Sequence, residues 1–301
     1  MKKLLLLCTA TLALQSISYA QQLYTRIGLG YAIPQAGQTM DGTATPYNGS
    51  AVNSSPAGNT TYSLKNMSFG AGVHGDLGFG YMFNKHVGID VSLDFLLSAK
   101  QYTGTIGNVL VDSVPSNVNM NQKGKCTLFI PALVLQSDGE KMNLYTRVGI
   151  ALPLRSRVTW DEVYVNLPGT GATEVVDFTW EIKNKLSLGL TAAVGAKFAV
   201  NNKMKFWCEM GFLSFAPYAK EANLTEVSVN GQGGYLNQIS SAQRVITYST
   251  AFTGRTNDFF HQPAYSQPFS NFSINAGLSF DLQNNGRGRQ RGKNDVKSRR
   301  R

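Results

Sequence analysis

Residues 67–98 read MSFGAGVHGDLGFGYMFNKHVGIDVSLDFLLS, and apolar and polar side chains alternate on both sides of one tight turn. Before the turn, Phe69, Ala71, Val73, Leu77, Phe79, Tyr81 and Phe83 share one face, and Ser68, Gly70, Gly72, His74, Asp76 and Gly78 share the other. After Asn84-Lys85-His86, the residues Val87, Ile89, Val91, Leu93, Phe95 and Leu97 stand against Asp90, Ser92 and Asp94. A period of two rich in β-branched and aromatic residues is the pattern of a strand with one apolar and one polar face. Two such runs around a short turn make a hairpin.

The same plan recurs outward from this stretch. A first strand is expected over about Leu23 to Ile33, with Tyr24, Arg26, Gly28 and Gly30 on its polar face. A fourth, about Lys125 to Gln136, turns at Ser137-Asp138-Gly139-Glu140 into a fifth that starts at Met142 and alternates Leu144, Thr146, Val148, Ile150 and Leu152 with Asn143, Tyr145, Arg147 and Gly149. A sixth, Leu186 to Phe198, turns at Asn201-Asn202 into a seventh carrying Met204, Phe206, Cys208, Met210 and Phe212. An eighth runs from Phe272 to Phe280. All the short turns fall at one end; the connections at the other end, residues 34–65, 99–124, 155–185 and 215–268, are long and rich in Gly, Ser, Thr and Asn. Loops of that length are functional or disordered when a compact domain carries them.

Hydrocarbon offers a backbone no hydrogen bonds, so strands cross it only when every edge is paired, which forces closure. The expected fold is therefore all-β: an eight-stranded antiparallel transmembrane up-and-down β-barrel with short periplasmic turns and long extracellular loops. A soluble β-sandwich would also alternate, but its short loops would fall at both ends. In the third connection, Val158, Trp160, Val163 and Val165 before Pro168-Gly169, with Val176, Phe178, Trp180 and Ile182 after it, predict a hairpin continuing past the membrane. The fourth holds similar runs at Leu224 to Val229 and Arg244 to Phe252; if these span, the barrel has ten strands.

The chain opens with Lys2, Lys3, an apolar run from Leu4 to Leu14 and Ser18-Tyr19-Ala20, the pattern of a secretory signal peptide over residues 1–20 that leaves with Cys8. Residues 21–282 form the barrel. No later run of 18 apolar residues exists to serve as a transmembrane helix. The net charge of +10 is unevenly placed: residues 283–301 hold eight Lys or Arg against Asp295 and the leader holds two, leaving +1 for the barrel. The charge thus belongs to a tail, Arg287, Arg289, Arg291, Lys293, Lys297, Arg299, Arg300 and Arg301, and not to a nucleic-acid surface. Such a segment lacks the apolar residues for a core and is expected to be disordered. With an even strand count it ends in the periplasm, where it has a salt-sensitive reach toward anionic headgroups, cell-wall polymer or an acidic protein face. Cys126 and Cys208 fall on different hairpins among apolar neighbours and read as two unpaired thiols.

The leader, the Gly-rich alternating strands, the short turns set against long loops and the final strand ending in Phe280 resemble the small bacterial outer-membrane barrel families that include outer-membrane proteins W and X. The Ala20-Gln21-Gln22 junction resembles Bacteroidota secreted proteins, and the whole a Bacteroidota-type porin-family barrel. The resemblance covers residues 21–282. It implies outer-membrane lipid and lipopolysaccharide as surroundings and recognition of Phe272 to Phe280 by the barrel assembly machinery. The chain departs from that pattern by continuing past Leu282, where such proteins usually stop at the aromatic.

An eight-stranded barrel is filled by its own side chains. Counting from the short turns puts Asp76, Asp94, Arg147 and Glu209 at one height, a belt across the lumen, with Asp76 and Asp94 as cross-strand neighbours. Facing carboxylates repel unless a cation or proton intervenes. Arg147 is the expected partner, with Arg26 and Lys197 lower down. Two readings of the belt stand: a structural plug of salt bridges, or a gated path for small polar solutes. None of His74, His86 and His261 has a serine and an acid at triad spacing, so no catalysis, cofactor or metal is expected.

The loops carry Tyr47, Tyr62, Trp160, Tyr164, Trp180, Tyr235, Phe259, Phe260 and Tyr265; Trp160 and Trp180 are expected in the interfacial girdle. Asp112-Ser113-Val114 matches the short acceptor pattern of Bacteroidota O-glycosylation. The leading functional expectation is a non-enzymatic outer-membrane barrel that displays its loops for structural or interaction roles. The alternatives are a narrow channel or transporter for small solutes and membership, through loops or tail, of a secretion or envelope assembly complex.

Overall fold

The computed structural model describes residues 22–35, 37–40, 64–111, 114–139, 141–166, 174–250 and 260–282. The expected signal peptide, the basic tail, Tyr47, Tyr62, Phe259 and the Asp112-Ser113 pair lie outside the described residues. The elements in chain order are β1 Gln22–Pro34, β2 Gln38–Met40, β3 Leu64–Asn66, β4 Gly72–Met82, β5 Val87–Ser98, β6 Gln101–Val111, β7 Val114–Gln136, β8 Met142–Asn166, β9 Val175–Asn184, β10 Gly189–Ala199, β11 Met204–Ser214, β12 Ala219–Val229, β13 Val245–Ser249, β14 His261–Pro263 and β15 Asn271–Asp281.

Eight of these strands pair antiparallel in a closed ring, in the order β1, β4, β5, β7, β8, β10, β11, β15 and back to β1. Closure runs the length of the seam between β1 and β15, from Tyr24 opposite Asp281 to Pro34 opposite Asn271. Two of the short turns use one device. The Asn84 side-chain oxygen accepts the N–H groups of His86 and Val87 at 2.8 Å, and Asn201 accepts those of Lys203 and Met204 at 2.9 and 2.8 Å. An asparagine that mimics a backbone turn in this way reverses the chain within a few residues. At the third, Gly139 is required by proximity, because a Cβ there would lie 2.0 Å from the Met142 carbonyl oxygen.

The long-loop end departs from the sequence reading. The connection over residues 99–124 is a hairpin, so β7 begins at Val114, eleven residues before the expected start. β7 is 23 residues long and β8 is 25. Each changes partner along its length. β7 pairs with β5 inside the ring and with β6 beyond it, and β8 exchanges β10 for β9. Outside the ring the sheet continues from β9 to β12, β13 and β14. The strand at Leu224 to Val229 thus pairs with β9, the one after Arg244 pairs with β12, and neither enters the ring.

A bulge sets the character of this outer sheet. Opposite the step from Thr127 to Leu128, β8 passes from Arg155 to Pro153 and leaves Leu154 unpaired. Such an extra residue shifts side-chain parity by one. Below it Tyr145, Arg147 and Ala151 point into the ring; above it Val158, Trp160, Glu162 and Tyr164 are the buried ones. Trp160 has the same parity as the outward Leu144, Val148 and Ile150, and so an unbroken alternation places it on the outer face. This corrects the girdle expectation: Trp160 and Trp180 are 0% and 3% exposed, with ring centroids 6.4 Å apart, inside an apolar cluster that includes Val158, Ile182, Leu224 and Ile246.

Candidate functional site

The ring is inverted relative to a water-soluble protein. Leu29, Ile274, Met210, Val148 and Val194 are exposed on its outside, while Arg26, Asp90, Arg147, Lys197 and Glu209 are buried within. Exposed large apolar surface of this extent is stable only against another apolar medium. Every second position carries this outer coat, because successive strand residues point to opposite faces.

Within the ring the charged side chains form one connected group. Arg26 lies at its centre, donating to Asp76 at 2.7 Å and Glu209 at 3.3 Å, with its Nε 3.7 Å from Asp90. Arg147 reaches Asp90 at 3.1 Å, Glu209 at 3.4 Å and the Ser92 hydroxyl at 3.2 Å. The Tyr24 hydroxyl donates to Asp90 at 3.0 Å and the Tyr145 hydroxyl to Glu209 at 2.8 Å. Glycines opposite make the room: a Cβ at Gly78 would lie 2.7 Å from the Arg26 side chain, and one at Gly28 would lie 2.3 Å from the Trp207 ring, which stacks beneath the Arg26 guanidinium at 5.0 Å. Buried charges are tolerated only when paired and hydrogen-bonded in this manner.

The expected residues are therefore brought together with different partners. Asp76 and Asp94 are cross-strand neighbours, but Asp76 is held by Arg26 and Asp94 faces His74 at 3.0 Å; Arg147 binds neither. Arg26 is not a lower accessory, since its long side chain climbs to the height of the carboxylates. Lys197 stays below, its ammonium 4.5 and 4.8 Å from the Tyr24 and Tyr145 rings and 3.5 Å from the Gln136 side-chain oxygen. Asp90, Tyr24 and Tyr145 complete the group. Their inward parity was readable, but counting backbone height from the turn gave no account of side-chain reach.

Above the charges the interior becomes apolar. Phe269 lies between Phe69 and Phe215, at centroid distances of 5.7 and 5.9 Å, with Leu96, Leu128, Ile130 and Leu213 buried around them. This places a hydrophobic stopper toward the long-loop end. Cys126 is buried near it, and Cys208 is a free thiol on β11.

A closed ring with an apolar outside and a filled, charged inside defines the class of integral outer-membrane barrels. The chain belongs to the outer membrane protein β-barrel domain family, whose profile matches residues 4–230. Among solved structures it is similar to the outer membrane protein OprG from Pseudomonas aeruginosa, at 11% identity over 89% of this chain and 99% of that one, with a TM-score of 0.42. It is also similar to Ail, the attachment invasion locus protein of Yersinia pestis, in complex with the heparin analogue sucrose octasulfate, at 12% identity over 86% and 99% of the two chains and a TM-score of 0.28. A comparison with curated protein sequences finds no match.

Proposed function

We propose that this protein crosses the outer membrane with the eight strands of its ring, and that the ring is a sealed, non-enzymatic wall holding up the outer sheet as a structural or interaction surface. The observation that carries the reading is the filling of the interior: the salt-bridged group around Arg26 and Glu209 lies beneath the Phe69, Phe215 and Phe269 stopper, and β8, β9, β12 and β13 extend the same apolar core beyond the ring. In this reading the short turns and both termini are periplasmic, the outer sheet is extracellular, and the basic tail is available to an envelope partner.

Planar-bilayer recording of the full chain tests it. A silent membrane is expected. Steady, discrete conductance steps would replace this reading with the narrow-channel alternative, since a solute path needs the stopper to move. Gentle detergent extraction followed by identification of co-purifying envelope proteins addresses the interaction role, and truncation after Leu282 separates partners of the tail from partners of the sheet.

A further inference from the structure

Between the charged group and the stopper lies a small cavity of about 40 Å³, lined by His74, Asp76, Asp94, Arg147, Glu209 and Asn271 among others. That volume accommodates a water or two, or a partly hydrated ion, and is too small for a sugar or an amino acid.

Two independent observations describe what it would hold. The first is charge. Inside the ring Arg26, Arg147 and Lys197 face Asp76, Asp90, Asp94 and Glu209. Lys205 and Asp281 form their own 3.0 Å pair near the short turns. His74 aside, the interior therefore has four carboxylates against three cationic side chains. The excess falls at the cavity, because among the described residues Asp94 has neither an arginine nor a lysine in salt-bridge range.

The second is a set of unpartnered acceptors on the cavity wall. Asn271 is 1% exposed and donates its amide N–H to the Phe269 carbonyl at 3.1 Å, which fixes the amide and leaves Oδ1 without a partner. Asp76 uses Oδ2 for Arg26, and its buried Oδ1 has none. Buried lone pairs without donors are costly unless something positive meets them.

We propose that this cavity binds one small monovalent cation, held by oxygens of Asp76, Asp94 and Asn271. A single surplus charge selects a monovalent over a divalent ion.

The test uses the full chain in lipid vesicles, with sodium as the probe. The temperature at which the folded form is lost is measured in sodium chloride and in choline chloride at equal ionic strength. At about pH 8 the sodium midpoint is expected to be higher by roughly 2–4 °C. Asp94→Asn, which removes the surplus charge, is expected to abolish the gap. Equal midpoints in the two salts overturn the proposal without any variant. A gap that survives in Asp94→Asn does so as well, by placing the ion elsewhere.

Discussion

Arg26 and Glu209 are 183 residues apart in the chain and meet at 3.3 Å inside the ring, each in contact with further partners of opposite charge. The pair joins β1 to β11 across the interior, although the two strands are not neighbours in the ring. Glu209 also accepts from Tyr145 and Arg147, so its removal leaves two buried guanidinium groups short of charge. Glu209→Ala is expected to cost about 3–5 kcal/mol, read as a lowered urea midpoint for unfolding from lipid vesicles. An unchanged midpoint would mean that water reaches these groups.

The outer coat makes an opposite prediction. Leu29 is 70% exposed and lies at the height of Gly75 on the neighbouring strand. Leu29→Arg is expected to destabilise the membrane-inserted form by about 2–4 kcal/mol. On a water-soluble protein the same change at so exposed a site would be nearly neutral, and a neutral result in vesicles would show that this face does not meet lipid.

Glu162 offers a pH dependence in the outer sheet, beyond the ring. It is buried in the cluster around Trp160 and Trp180, and Tyr164 donates to its Oε2 at 3.4 Å. Burial pushes its carboxyl up to about 8 from 4.5. The folded state therefore holds its proton more tightly than the unfolded state, so the stabilisation is complete below about pH 4.5 and is lost as the pH rises through about 8. Amide exchange in β8, β9 and β12, corrected for its intrinsic pH dependence, is expected to show greater protection at mildly acidic than at mildly alkaline pH. Glu162→Gln is expected to flatten the difference.

Deleting Leu154 tests the bulge. Removal of the unpaired residue makes Pro153 and Arg155 consecutive, so their pairing with Leu128 and Thr127 is kept and Val158, Trp160, Glu162 and Tyr164 stay on the buried face. The ring and the outer sheet are expected to assemble with tryptophan emission unshifted. A shift to the red, as Trp160 and Trp180 become wet, would show that the two ends of β8 do not keep their register on β7 without the extra residue.

Most of the ring was legible because lipid outside and charge inside impose a strict period of two, and asparagine turns punctuate it at Asn84 and Asn201. The outer sheet was less so. Its alternation was visible around Trp160 and Trp180, but the parity change at Leu154 depends on which β7 residue each β8 residue opposes, a long-range fact. The 99–124 segment lacks strong apolar alternation, and its pairing with β7 follows from the length of that partner. In the interior, parity identified which residues point inward but did not assign ion pairs, since Arg26 spans more height than its backbone position suggests.

At about 3.4 Å per residue, the 25 residues of β8 measure roughly 85 Å, whereas a crossing takes about ten residues. With the ring as the proposed crossing, more than half of this strand stands clear of the bilayer like a mast. Whatever meets its tip does so tens of ångströms from the lipid plane, out of reach of any molecule confined to that plane.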